Sequence, residues 1–301
     1  MQMIQWAKGA AREKKWRYVQ NGSAAWRQGV NALPVTPVGR NALSGLRAKG
    51  VTTLNIRELT HGDELFQRIC AEYKRGLETR SAEIDRWRAE LKAGCKAGAD
   101  KPYLYSFTPC DDCYSFHHAV VQLALNPEIL AIANAYQGMY TQLTGMKYWY
   151  TLADDHQKPA GSQLWHRDLG DLSYVKAFLY IEDVDEETGP LTYAEGTHRG
   201  SLRWQNPKTW RDEKGARRAD DESMAAMVRR DRWFVATGGK GTLLIAVTTG
   251  YHKGGLATRR DRKTLYFGYR SPEAAGYRER ILIDHLPADL HPAARFAAYG
   301  H

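Results

Sequence analysis

The sequence predicts an α+β protein in which N-terminal helices buttress an antiparallel β-barrel or sandwich. Three observations carry that expectation. Apolar residues recur at helical spacing between about residues 63 and 136. From Met139 onward the chain changes to short runs rich in Val, Ile, Tyr and Phe, separated by acidic, Gly- and Pro-bearing turns. With 301 residues, 43% of them hydrophobic, the chain is long enough for one large core or two modest ones.

The elements follow in order. Residues 3–19 suit a basic helix carrying Ile4, Trp16 and Val19, after which Asn21-Gly22-Ser23 and Pro34-Val35-Thr36-Pro37 break any regular pattern, so residues 1–40 read as a basic N-terminal arm. Residues 42–50 suit a short helix closed by Gly50, and residues 51–56 a strand, opening a domain that spans 41–301. Residues 63–92 read as one helix, with Leu65, Ile69, Tyr73 and Leu77 four residues apart and Asp63 as its N-cap. Two further helices are expected over 114–125, carrying His117 and His118, and 127–136, divided by Asn126-Pro127. The barrel core is expected over about 139–270: strands at 140–152, 174–182, 191–193, 241–247 and 263–269, with a charged, Trp-rich insertion over about 203–232 bearing a short helix at 222–229. The acid run Asp183-Val184-Asp185-Glu186-Glu187 lacks EF-hand periodicity and reads as a hairpin turn.

The chemistry concentrates in Ser162-Gln163-Leu164-Trp165-His166-Arg167-Asp168. On an extended segment, residues i and i+2 share a face, so His166 and Asp168 present an imidazole and a carboxylate side by side. His252, arriving from a later strand, completes two His and one carboxylate on one face of an ion, the donor set of non-haem Fe(II) oxygenases, and leaves the opposite face open. A second H-x-D, His61-Gly62-Asp63, stands at a helix start and is read as structural.

Composition bounds the rest. No run approaches the roughly 18 apolar residues of a membrane span, and no signal-like segment opens the chain, so a cytoplasmic location is expected. Cys70, Cys95, Cys110 and Cys113 are too few for a disulfide framework; Cys110-Asp111-Asp112-Cys113 has zinc half-site spacing without a second half, and ordinary thiols are the simpler reading. The net charge of +9 is uneven: residues 1–56 hold nine Lys and Arg against Glu13 alone. That is either a solvated helix face or attraction to an anionic partner, such as a carrier protein, nucleic acid or phosphorylated substrate. Trp6, Trp16, Tyr18 and Trp26 would serve base stacking, although no nucleic-acid motif accompanies them.

Taken together, Trp165-His166-Arg167-Asp168, Val175-Lys176-Ala177-Phe178-Leu179-Tyr180, Asp183-Val184-Asp185-Glu186-Glu187-Thr188-Gly189-Pro190-Leu191, Gly196-Thr197-His198 and the stretch from His252 to Leu265 resemble the phytanoyl-CoA dioxygenase family of Fe(II)/2-oxoglutarate oxygenases. The likeness runs loosely over residues 42–270. It implies a double-stranded β-helix (a jelly-roll, cupin-like barrel) that holds Fe(II) through His166, Asp168 and His252, uses 2-oxoglutarate and O2, and releases succinate and CO2. Arg262, ten residues after His252, takes the position that grips the far carboxylate of 2-oxoglutarate, with Arg259 and Arg260 as competitors. The family's hydroxyl residue two positions after the distal His is Gly254 here; Thr258, Thr192 or a tyrosine could replace it, and Tyr148 and Tyr150 are further cosubstrate candidates. Related halogenases lack the metal carboxylate, whereas Asp168 is intact, which favours hydroxylation of a small-molecule or carrier-bound metabolite. The alternatives are a cupin-like metal-binding isomerase or non-redox protein, which needs the triad but not Arg262, and a basic binding module for an anionic partner.

Overall fold

The computed structural model describes residues 2–93, 101–109, 114–154, 158–212, 215–274, 281 and 283–299. Cys95, Cys110 and Cys113 lie outside them, and so does the C-x-x-C expectation. Helix α1 (Gln2–Lys15) runs into a wide π turn at Trp16–Gln20. Helix resumes at α2 (Gly22–Val30), where the sequence predicts irregular chain, because Asn21 bridges the junction: its side-chain amide donates to the Trp16 carbonyl at 2.9 Å and its own carbonyl accepts from Ala25 N. Trp16 is 6% exposed, and its indole N–H reaches Asp171 Oδ1 at 2.9 Å and Ser271 Oγ at 3.2 Å. With Ala24 and Leu33 it belongs to the main hydrophobic core. Trp16→Ala is therefore expected to cost about 3 kcal/mol of stability, the usual loss for emptying a buried aromatic site. Denaturant unfolding of the intact chain checks this.

Helix α3 (Pro37–Lys49) begins earlier than the predicted 42, because Thr36 Oγ1 accepts from Gly39 N and Pro37 fits the first turn; Gly50, at φ 90°, ends it as expected. Strand β1 (Val51–Asn55) follows. The predicted helix over 63–92 is two helices, α4 (Gly62–Thr79) and α5 (Ser81–Lys92), broken at Arg80. The break brings Trp87 against Tyr105 and Tyr150, with ring centroids 5.7 and 6.1 Å apart. Asp63 is not the N-cap: His61, in the left-handed region, holds that position, and Asp63 in the first turn accepts from Arg57 Nε at 2.8 Å.

After β2 (Leu104–Phe107), the predicted helix over 114–125 shrinks to α6 (Ala119–Ala124). Its first residues form β3 (Tyr114–Ser115), paired in parallel with residues 283–284, and His117 and His118 occupy the turn between, with His118 Nδ1 accepting from Ser115 N at 3.1 Å. Helix α7 (Pro127–Gln137) is capped by Asn126 Oδ1. The remaining elements are β4 (Gln142–Thr151), β5 (Tyr174–Tyr180), β6 (Thr192–Ala194), β7 (Trp210–Arg211), β8 (Arg217–Arg218), α8 (Asp221–Met227), β9 (Trp233–Val235), β10 (Thr242–Val247), β11 (His252–Lys253), β12 (Arg262–Arg270), β13 (Ile283–Asp284) and α9 (Pro292–Tyr299).

Two antiparallel sheets position the site. The larger has strand order β1-β10-β5-β12-β4-β2 and the smaller β11-β6-β9. Alternation divides the large sheet's side chains. Val175, Ala177, Leu179, Leu243, Ile245, Leu265 and Phe267 join the core shared with the helices. Phe178, Tyr180, Leu244 and Ala246 point the other way and meet Tyr193 of the small sheet. On the small sheet's opposite face, Ala194 packs with Trp165, Ala219, Met224 and Val228, which fastens the 203–232 insertion in place. Lys176 alternates with Val175 and Ala177, so this charged residue falls on the inter-sheet side, where the site is built.

Candidate metal centre and its cavity

His166 and His252 are brought together by backbone, not by side-chain packing. Each donates its N–H to the other's carbonyl at 3.0 Å in an antiparallel bridge, which sets the two rings on one side with centroids 4.3 Å apart. Asp168 is fixed in turn by its N–H to the Thr248 carbonyl at 2.9 Å, and Thr248 N is bonded to Tyr174 O. One ligand atom from each of His166, Asp168 and His252 lies within 4.8 Å of the other two, and this is the metal-capable cluster found among the described residues. His61 and Asp63 are no part of it.

The tautomers follow from the hydrogen bonds. His166 Nδ1 faces the Leu164 carbonyl at 2.8 Å and His252 Nδ1 the Gly250 carbonyl at 3.0 Å, so both protons sit on Nδ1 and both Nε2 lone pairs are free for an ion. Burial pushes both imidazoles below their usual pKa, which keeps them neutral, as ligation requires. Burial alone would raise the Asp168 carboxyl, but the Lys176 ammonium outweighs it and holds the group well below the usual carboxylate range. Lys176 Nζ approaches Asp168 Oδ2 at 2.7 Å, an ion pair without hydrogen-bond alignment, and the same buried oxygen stands 4.0 Å from His252 Nε2. A neutral pair of imidazoles beside an ionised carboxylate is a donor set that fits a divalent transition-metal ion.

The triad opens into a cavity of about 760 Å³, including the part open to solvent. Arg262, at the start of β12, lines the same cavity. Its Nη1 donates to Thr188 O at 3.1 Å, and no carboxylate lies within ion-pair distance among the described residues. Arg259 and Arg260 lie outside on the surface, paired with Glu187 and Asp185. Of the three arginines, only Arg262 shares the metal site's cavity.

Other expected contacts are corrected. Tyr148 and Tyr150 face the helices: Tyr148 donates to Glu72 Oε2 at 2.9 Å, and Tyr150 to Asp261. Their strand presents Trp149 and Thr151 to the cavity instead. Thr192 is also turned away: Leu191, just before β6, and Tyr193 within it face the inter-sheet side, and Leu191 lines the cavity. Thr258 bonds the Glu187 carbonyl outside the cavity. The hydroxyl residues lining the cavity are Tyr103, Thr151, Ser162, Tyr180 and Thr264, with Tyr103 and Ser162 hydrogen-bonded at 2.9 Å and Tyr180 donating to the Ala236 carbonyl. Gly254 lines the wall and donates its N–H to Ser162 O at 2.8 Å.

The sequence reading also missed Lys176 and Lys101. A lysine inside an otherwise apolar strand is a signal that could have exposed Lys176. Lys101 has no such signature: it lies in a loop ahead of β2, its ammonium 5.3 Å from the Trp149 ring centroid, and burial lowers its pKa to about 8.

No protein-family model matches the chain, and no curated protein matches it. Solved structures do. The chain resembles a non-heme monooxygenase, ThoJ, in its apo form, at 17% identity over 86% of this chain and 94% of that one, with a TM-score of 0.50. It also resembles EvdO2 from Micromonospora carbonacea var. aurantiaca at 15% identity, covering 86% and 97%, with a TM-score of 0.50. A third similar structure is the epimerase SnoN in complex with Fe3+, alpha ketoglutarate and nogalamycin RO, at 18% identity, covering 83% and 91%, with a TM-score of 0.48. Among the described residues no helix is long and apolar enough to cross a membrane. At these identities the likeness is one of fold, and the chain shares the fold of the non-heme monooxygenase it resembles.

Proposed function

We propose that this chain is a non-haem Fe(II)/2-oxoglutarate-dependent oxygenase of the phytanoyl-CoA dioxygenase type, its two facing sheets forming a double-stranded β-helix. The observation that carries the reading is one cavity holding both His166–Asp168–His252 and the carboxylate-free guanidinium of Arg262. The triad alone would suit a metal-dependent isomerase. A half-buried guanidinium facing the same space supplies what that alternative does not need, a planar two-pronged partner for a carboxylate.

His166 Nε2, His252 Nε2 and an Asp168 oxygen would hold the iron, and Arg262 the distal carboxylate of 2-oxoglutarate. Bound together, iron and cosubstrate supply oxidation of an unactivated C–H bond with O2, with succinate and CO2 as co-products. The chain's own part is orientation. Backbone carbonyls of Leu164 and Gly250 fix the ring tautomers, Lys176 steers the Asp168 carboxylate, and Trp149, Phe178, Leu191 and Leu244 give the cavity an apolar wall that excludes water. The reaction favoured is hydroxylation of a small-molecule or carrier-bound metabolite. Nucleic-acid binding is the less favoured reading, since no nucleic-acid motif accompanies the arm's aromatics, of which Trp16 is buried while Tyr18 and Trp26 are exposed.

Calorimetry with Ni(II) in place of iron tests the reading. 2-Oxoglutarate should bind the Ni(II)-loaded chain and fail to bind the metal-free chain; equal binding by both would refute cosubstrate chelation. Tyr148→Phe should leave the 2-oxoglutarate affinity within about twofold, because that hydroxyl faces Glu72 behind the sheet. It should cost about 1 kcal/mol of stability through the lost hydrogen bond, read by chemical denaturation.

A further inference from the structure

On the reading just given, we propose that the primary substrate is an oxyanion-bearing small molecule whose carboxylate or phosphate is held by Lys101. The inference comes from the charges that line the cavity. Among the described lining residues there are three cations, Lys101, Lys176 and Arg262, and one acid, Asp168. Lys176 is taken by Asp168 at 2.7 Å. A divalent ion and the dianionic cosubstrate cancel one another, and Asp168 offsets one of the three side-chain cations. Two positive charges then remain in the cavity.

Both cosubstrate carboxylates are already assigned, one end to the metal and the other to Arg262, so neither is left for Lys101. No carboxylate among the described residues lies within ion-pair distance of its ammonium, which stands over the face of Trp149, 5.3 Å from the ring centroid. Desolvated ammonium groups are retained where they meet an opposite charge. Trp149 in turn stacks on Tyr266, with centroids 4.7 Å apart, and Phe178, Leu191 and Leu244 continue the apolar wall. An apolar or aromatic body ending in an oxyanion satisfies both parts of this surface.

The test uses the intact chain loaded with Ni(II) and 2-oxoglutarate, titrated calorimetrically with benzoate, phenyl phosphate and the neutral benzamide. Benzoate or phenyl phosphate should bind at least about tenfold more tightly than benzamide, and the better of the two identifies the carboxylate or the phosphate class. Lys101→Met should weaken oxyanion binding about tenfold to a hundredfold, the range for losing one charge-assisted bond, with 2-oxoglutarate affinity unchanged; Lys101→Arg should retain most of it. Equal binding of benzamide, binding of neither oxyanion, or an unaffected Lys101→Met variant overturns the proposal. Loss of 2-oxoglutarate affinity in Lys101→Met also overturns it, by giving the lysine to the cosubstrate. Failure of the wild-type chain to bind 2-oxoglutarate in the presence of Ni(II) overturns instead the oxygenase reading on which it rests.

Discussion

Replacing Arg262 with alanine is expected to weaken 2-oxoglutarate binding by roughly a hundredfold or more, on the order of 3–5 kcal/mol, because the distal carboxylate would be left unpaired inside the cavity. Iron affinity should barely change, since Arg262 contributes no ligand atom to the triad. Arg262→Lys should rescue only part of the loss: an ammonium restores charge without the planar fork, and a shorter reach would compete with the Thr188 carbonyl contact. The 2-oxoglutarate dependence of succinate formation, measured beside iron binding, separates these effects. Arg259→Ala provides the control, because Arg259 sits on the surface against Glu187. An unchanged dependence in Arg262→Ala would remove that residue from the cosubstrate site.

The other large effect is expected at the triad. His166→Ala, Asp168→Ala and His252→Ala should each reduce metal-dependent turnover at least about a thousandfold, equivalent to about 4 kcal/mol of barrier. The histidine variants should fold normally, because the His166–His252 bridge is made by backbone and survives loss of the rings. Asp168→Ala should be the least stable of the three: it strands the Lys176 ammonium in a buried position, and breaking a buried pair costs about 3–5 kcal/mol. Asp168→Asn keeps the shape while removing the charge, so its metal affinity reports the carboxylate itself. Full activity in any triad variant would refute the assignment. His61→Ala should leave iron binding unaltered.

What was legible in the sequence, and what was not, follows from where the signal lay. His-x-Asp is a local spacing, and its partner strand is marked by Tyr251-His252, so the three residues the structure brings together could be singled out without it. Helix ends marked by a glycine or a proline, Gly50 and Asn126-Pro127, were likewise readable. The face of β4 was not. Tyr148 and Tyr150 face the helices while Trp149 and Thr151 face the cavity, and all four are apolar or weakly polar, so the period-2 pattern of the sequence carries no inside–outside signal there. Thr192 failed for a similar reason, in a three-residue strand buried along its length. The helix break at Arg80 has no glycine or proline to announce it and is set by packing of Trp87 on the sheet's aromatic residues. Trp16 illustrates the same limit: a basic, amphipathic segment reads as a solvated arm until the long-range partners Asp171 and Ser271 are known.

The most direct test of the central claim is conversion of 2-oxoglutarate to succinate by the purified chain under air, with Fe(II) added and withheld, in wild type and Asp168→Asn. Because succinate comes from the cosubstrate, the readout itself requires no knowledge of the primary substrate. Succinate formation that requires Fe(II) and O2 and is lost in Asp168→Asn is the result expected. Tight, stoichiometric metal binding at His166, Asp168 and His252 with no affinity for 2-oxoglutarate and no succinate would contradict the account and leave a metal-dependent isomerase or non-redox protein in its place.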